Sequence, residues 1–193
     1  MVDKQHKLFP VGMQANWCSE GALALAPQLK DWLLDPGSLT ARLSNLSKSF
    51  RVQVLGQSVQ HCTIEESNQD IPPGEPVLVR EVLLLCNDVP QVFARSLLPL
   101  ASLTGEQQQL ATLGSQSLGQ VLFNHANLKR KRIEVASFDS QSSVTQLAKE
   151  LKLSIEHNLW GRRSVFIIDD KPLMVAEVFL PDSFAYQNIM VNA

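Results

Sequence analysis

With 193 residues, 45% of them hydrophobic and 19% charged, the chain has the size and balance of a single domain that can build its core without disulfides or metal. A formal net charge of −2 supplies no overall attraction for nucleic acid or anionic lipid and points to a small-molecule partner. Cys18, Cys62 and Cys86 are odd in number and form no C-x-x-C pair. That argues against a zinc knuckle and a secreted disulfide framework, and it fits a reducing compartment. The stretch ALALAP at 22–27 is too short for a signal-peptide core, and no run nears the ~18 apolar residues of a membrane span. The expectation is a cytoplasmic monomer.

Residues 1–20 show no periodicity and read as an irregular arm. Pro27 opens PQLKDWLL, where Leu29, Trp32 and Leu33 fall at helical spacing, and Asp35, Pro36 and Gly37 end it. Ser38 is the expected N-cap of LTARLSNL, in which Leu39, Leu43 and Leu46 share a face, so 27–46 is a helix pair with a tight break. From Phe50 the period changes to two. FRVQVLGQSV reads as a strand with a bulge or bend at Gly56, and CTIEES is expected to continue the sheet up to the turn cluster at 68–76.

The most apolar strand, VLVREVLLLC at 77–86, returns through NDVP at 87–90 into QVFARSLLP, a long antiparallel hairpin. Alternation puts Arg80 with Leu78, Val82, Leu84 and Cys86, and Glu81 with Val77, Val79, Leu83 and Leu85. Both faces are apolar, so the strand is covered on both sides and its guanidinium needs a partner. Two readings of Arg80 stay open: a structural ion pair with a cross-strand acid, or a fork that holds a ligand carboxylate bidentately.

Thr104 to Phe123 reads as a second helix pair. TGEQ resembles a capping box, Gln107 to Leu113 the first helix, Gly114 its end, and Ser115 or Ser117 the start of LGQVLF. A DNA-reading helix-turn-helix is disfavoured because the second helix carries no Arg or Lys. KRKR at 129–132 leads into the strand-like IEV and reads as a solvated face. After the polar SFDSQSS, VTQLAKELKLSIEH has Val144, Leu147, Leu151 and Ile155 at helical intervals, so 137–158 is expected to carry an added surface helix. His6, His61, His125 and His157 show no metal-ligand spacing, and no GxSxG, Walker or GxGxxG motif occurs.

The last hairpin is LWGRRSVFIIDDKPLMVAEVFLP. Runs 165–168 and 173–180 flank the polar turn formed by Asp169, Asp170, Lys171 and Pro172. Glu177 is the only charge in the second run, sharing a face with Leu173, Val175 and Phe179, while the other face is also apolar. A carboxylate there must find a cation or donor, or take up a proton. That makes Glu177 a candidate acid or base, unless the strand lies at a sheet edge and the side chain reaches solvent.

Arg80 and Glu177 on apolar strands suggest a ligand with an anion at one end and a hydroxyl or transferable proton at the other. The series WLL at 32–34, VREVLLLC at 79–86, LGSQSLGQVLF at 113–123, LWGRRS at 159–164 and KPLMVAEVFLP at 171–181 resembles the chorismate lyase family of ubiquinone biosynthesis, in order over 27–181. The resemblance implies a single α+β domain spanning 1–193, an antiparallel sheet with helix-pair lids over a buried ligand cavity. It also implies conversion of chorismate to 4-hydroxybenzoate and pyruvate with no metal or organic cofactor. By the same resemblance Arg80 and Glu177 are both catalytic and substrate-binding, and backbone groups of Leu39 and Leu118 also bind. Leu39 replaces a methionine seen in the family, a change that a backbone contact tolerates. Glu177 would take the ring proton, its basicity raised by the apolar face. Arg162 and Arg163 are candidates for the second substrate carboxylate, with structural pairing behind the hairpin as the alternative. The 137–158 segment is longer than the family pattern. The fold also resembles the effector-binding domain of bacterial transcription regulators, so a non-catalytic binder of small aromatic acids is the alternative function. Such regulators carry a winged helix ahead of this domain, and the roughly 25 residues before the first helix are too few for one.

Overall fold

The computed structural model describes residues 8–19, 21 and 24–187. The first seven residues of the expected arm, with His6, and part of ALALAP lie outside them. Seven strands form one sheet: β1 (Cys18–Ser19), β2 (Phe50–His61), β3 (Pro76–Cys86), β4 (Val89–Pro99), β5 (Lys129–Phe138), β6 (Leu159–Ile168) and β7 (Lys171–Phe179). Their order is β1-β5-β6-β7-β4-β3-β2, every pairing antiparallel. The two sequence-adjacent hairpins close through two-residue turns, Asn87–Asp88 and Asp169–Asp170, whose four residues all have positive φ. Asn and Asp tolerate that conformation, and the twist of such turns matches that of the strands. The second turn is thus tighter than the four polar residues suggest, and Lys171 and Pro172 already pair with Ile168 and Ile167.

Strand β2 ends at His61. CTIEES leaves the sheet as a turn in which Ser67 N–H donates to Thr63 O at 2.9 Å and Glu66 points back into the protein toward Arg95. The register shift between Val54 and Gly56 is the expected irregularity. The Phe9 ring lies over Gly56 so closely that a Cβ there would overlap it.

Directly paired residues across the ladder share a face. One row runs Arg80, Ser96, Val175, Ser164 and the next Val82, Ala94, Glu177, Arg162. This face is covered by α1 (Pro27–Leu33), α2 (Leu39–Asn45) and α3 (Leu118–Phe123). Ser38 and Ser117 cap α2 and α3, accepting from Ala41 N and Gln120 N. Trp32 anchors the first pair: it packs edge-on against Phe179 with centroids 5.9 Å apart, and the Arg42 guanidinium lies 3.7 Å from its ring centroid. Such contacts each contribute about 0.5–1.5 kcal/mol beyond burial.

The second helix pair differs from its sequence reading. Gly105–Thr112 is a 3-10 helix, and Thr104 makes no side-chain cap. Gln107, Leu110 and Leu113 are the buried positions, a period of three that suits 3-10 geometry better than an α-helix. The Gln107 amide binds Asp169 and Lys171 instead of closing a capping box.

The opposite face is covered by the arm and by α4 (Ser143–Glu150), which buries Val144, Leu147 and Ala148 against Phe93, Phe138 and Val178. The helix is a core layer, more than a surface addition, and it is shorter than the periodicity implies. Lys152 turns into the left-handed region, with Lys152 N–H on Lys149 O and Leu153 N–H on Ala148 O. This Schellman closure ends the helix before Ile155.

Candidate functional site

Arg80 sits mid-strand on β3, 2% exposed, with Gln57 and Ser96 as cross-strand neighbours. No acid pairs with it among the described residues. Its Nη2 donates to the carbonyls of Gly114 (2.8 Å) and Gln116 (3.1 Å), in the loop before α3. Nε and Nη1 have no protein acceptor among the described residues, leaving N–H groups free to meet a ligand. Burial lowers the pKa of this guanidinium from its ordinary value, the direction expected when a cation loses water.

Glu177 lies on β7 between β4 and β6, so the edge-strand alternative does not hold. Its side chain is 16% exposed, and its Oε2 accepts from Arg162 Nε at 2.7 Å. Its surroundings are therefore less apolar than the strand pattern suggests: Arg162 supplies the cation a buried carboxylate requires. Arg162 also donates from Nη1 to the carbonyls of Trp32 (3.3 Å) and Asp35 (2.9 Å), fixing its fork under the first helix pair. Arg163 points to the other face, paired with Glu134 at 2.7 Å and 5.2 Å from the Trp17 ring. It does not join the site.

Arg80 and Glu177 line one cavity with Val82, Ala94, Ser96, Val175, Thr40 and Leu118. The space between sheet and helices is about 320 Å³. Leu118 is the first residue of α3 and lines the cavity; Leu39 is the first of α2, one residue before Thr40. First-turn N–H groups have no acceptor within their own helix. The two helix N-termini meet through a buried hydroxyl pair, Thr40 Oγ1 to Ser117 Oγ at 2.6 Å. Gly119 permits this approach, because a Cβ there would come within 3.2 Å of Thr40 Oγ1.

The sequence reading missed Thr40, Ser117 and Arg130. Arg130 belongs to the KRKR run, but only Lys129 and Lys131 are exposed; it pairs with Phe166 on the lid face and donates from Nη1 to Asp35 O at 2.8 Å. The alternation of KRKR in a strand next to aromatic residues is the signal that could have separated it from its neighbours. Among the described residues no cluster of three or more His, Cys, Asp or Glu is placed to hold a metal ion, and no helix is long and apolar enough to cross a membrane.

Fold and site together define an α+β domain with a largely apolar cavity, carrying one arginine and one glutamate, between one sheet face and paired helical lids. The chain belongs to the chorismate lyase family, whose family model matches residues 12–190. It is 44% identical over 183 residues to a probable chorismate pyruvate-lyase of Psychromonas ingrahamii, covering 93% of this chain and 92% of that one. To a protein of the same name from Shewanella sp. strain W3-18-1 it is 42% identical over 175 residues, covering 90% and 92%. Among solved structures it is similar to PhnF from Mycobacterium smegmatis (TM-score 0.56, 17% identity, 77% of this chain and 66% of that chain). It is also similar to the ligand-binding domain of a GntR-family transcriptional regulator from Bordetella bronchiseptica (TM-score 0.53, 17% identity, 74% and 91%). At that identity the likeness is one of fold alone.

Proposed function

We propose that the protein converts chorismate to 4-hydroxybenzoate and pyruvate in the cytoplasm, the step that supplies the aromatic ring of ubiquinone. The observation that carries this reading is that Arg80 and Glu177, from non-adjacent strands, line the same enclosed cavity. Arg80 anchors the ring carboxylate through its free N–H groups, and the N–H groups of Leu39 and Leu118 share that charge. Glu177 lies beside the ring hydroxyl and takes the proton from the carbon bearing it. The ether C–O bond breaks with its electron pair leaving on the enolpyruvate oxygen, the ring becomes aromatic, and the enolate takes up a proton at its methylene carbon to become pyruvate. Aromatisation supplies the driving force, so the site's work is orientation and proton transfer.

Incubating the purified protein with chorismate tests the reading: 4-hydroxybenzoate and pyruvate should appear in equal amounts above the spontaneous background. No product, with 4-hydroxybenzoate still bound, would favour the non-catalytic binder that the regulator-domain fold suggests. Arg80→Lys keeps the charge and loses the planar fork. It is expected to weaken 4-hydroxybenzoate binding by about tenfold or more in calorimetric titration; unchanged affinity would remove Arg80 from carboxylate recognition.

A further inference from the structure

One strand beyond Glu177 and Val175, the lid face continues into Arg162 and Ser164 on β6, at the usual spacing of about 4.8 Å, and then to Arg130 on β5. Ser164 is 1% exposed and its hydroxyl has no hydrogen-bond partner among the described residues. Arg130 Nε is likewise buried without a partner. Unsatisfied buried polar groups are costly and uncommon, and here two occur on one face, next to a ligand cavity.

Charge points the same way. Arg130 and Arg162 each donate from Nη1 to the single carbonyl of Asp35, at 2.8 and 2.9 Å. Two guanidinium groups on one acceptor repel, and Glu177 is in contact with Arg162 only. The Asp35 carboxylate is engaged elsewhere, by Arg42 Nη1 at 2.8 Å and Gly37 N–H at 2.7 Å. Arg130 therefore has no acid in direct contact among the described residues, and an incoming carboxylate would supply one. The Arg130 guanidinium also lies 5.0 Å from the Phe166 ring centroid and 5.7 Å from that of Phe123 at the end of α3, contacts that help to fix its position.

We propose that Arg130 and Ser164 form a second carboxylate subsite, which receives the carboxylate of the ether side chain while the ring carboxylate rests on Arg80. This rests on the lyase reading for the identity of the ligand, and it assigns the second carboxylate to Arg130, with Arg162 serving Glu177. The subsite holds the leaving group beside Glu177 and distinguishes substrate from product, because 4-hydroxybenzoate has no second carboxylate to fill it.

The test compares ligands with and without that group. In calorimetric titration, 3-(carboxymethoxy)-4-hydroxybenzoate is compared with 4-hydroxybenzoate on wild type, Arg130→Gln, Arg130→Lys and Ser164→Ala. Arg130→Gln should weaken the dicarboxylate about tenfold or more and leave the 4-hydroxybenzoate affinity within about twofold; Lys should recover part of the loss, and Ser164→Ala should show a smaller loss of the same selectivity. In turnover, KM for chorismate should rise while 4-hydroxybenzoate inhibition is unchanged. Equal weakening of both ligands would make Arg130 a structural bridge between the lids and overturn the proposal, as would an unchanged dicarboxylate affinity. Because the titration needs no turnover, a protein that makes no product would sink the lyase reading alone.

Discussion

Glu177→Gln is expected to slow chorismate turnover by roughly 10²–10⁴-fold while 4-hydroxybenzoate binding changes far less. The substitution keeps the shape of the side chain and removes the group able to take up a proton. Arg162 fixes Oε2 at 2.7 Å from its Nε, and Oε1 has no protein donor among the described residues, so one oxygen is positioned and the other is left for chemistry. A loss of this size corresponds to about 3–5 kcal/mol of transition-state stabilisation. Near-wild-type turnover, measured by 4-hydroxybenzoate formation under saturating chorismate, would restrict Glu177 to binding.

The largest effect on stability is expected at Arg95, on the face away from the cavity. Its guanidinium grips Glu66 with two hydrogen bonds, Nη2 to Oε2 being 3.0 Å, and binds Glu81 Oε1 at 2.7 Å. Glu81 in turn accepts from the N–H groups of Val11 and Gly12, at 2.7 and 2.9 Å, tying the arm to the sheet. All three side chains are buried. Burial alone would lower the Arg95 pKa, but the two carboxylates outweigh it and the pKa is raised. Arg95→Met removes the one cation, among the described residues, in contact with both acids and should destabilise the fold by about 3–5 kcal/mol, read from the midpoint of denaturant unfolding. Adding Glu66→Leu and Glu81→Leu should recover much of that loss, since a matched apolar replacement of a buried ion network is often neutral. No loss in the single variant would show that these carboxylates are not held as charges by Arg95.

Local chemistry made the first helix pair and the hairpins legible. Pro27, the Asp35-Pro36-Gly37 break and Ser38 act within a few residues of the structure they specify, as do the Asn and Asp residues of the two turns. Alternation likewise placed Arg80 and Glu177 on strand faces correctly. What alternation does not carry is the partner. Arg162 reaches Glu177 across a strand pair and Trp32 O across 130 residues of chain, and Glu66 reaches Arg95 from a turn that reads as strand. Arg130 was hidden for a different reason: in KRKR it shares its composition with two exposed lysines, and only the strand's two-residue period and the Phe123 and Phe166 rings separate it from them. The 3-10 segment was obscured by helix-forming residues whose buried positions recur every three.

A crystal structure with 4-hydroxybenzoate bound tests the central claim most directly, that Arg80 and Glu177 mark the two ends of one ligand site beneath the lids. The ring is expected in the cavity, its carboxylate on the free N–H groups of the Arg80 guanidinium and its hydroxyl within hydrogen-bond distance of Glu177. A ligand found elsewhere, or bound in the reverse direction with its carboxylate toward Arg162, would contradict the account.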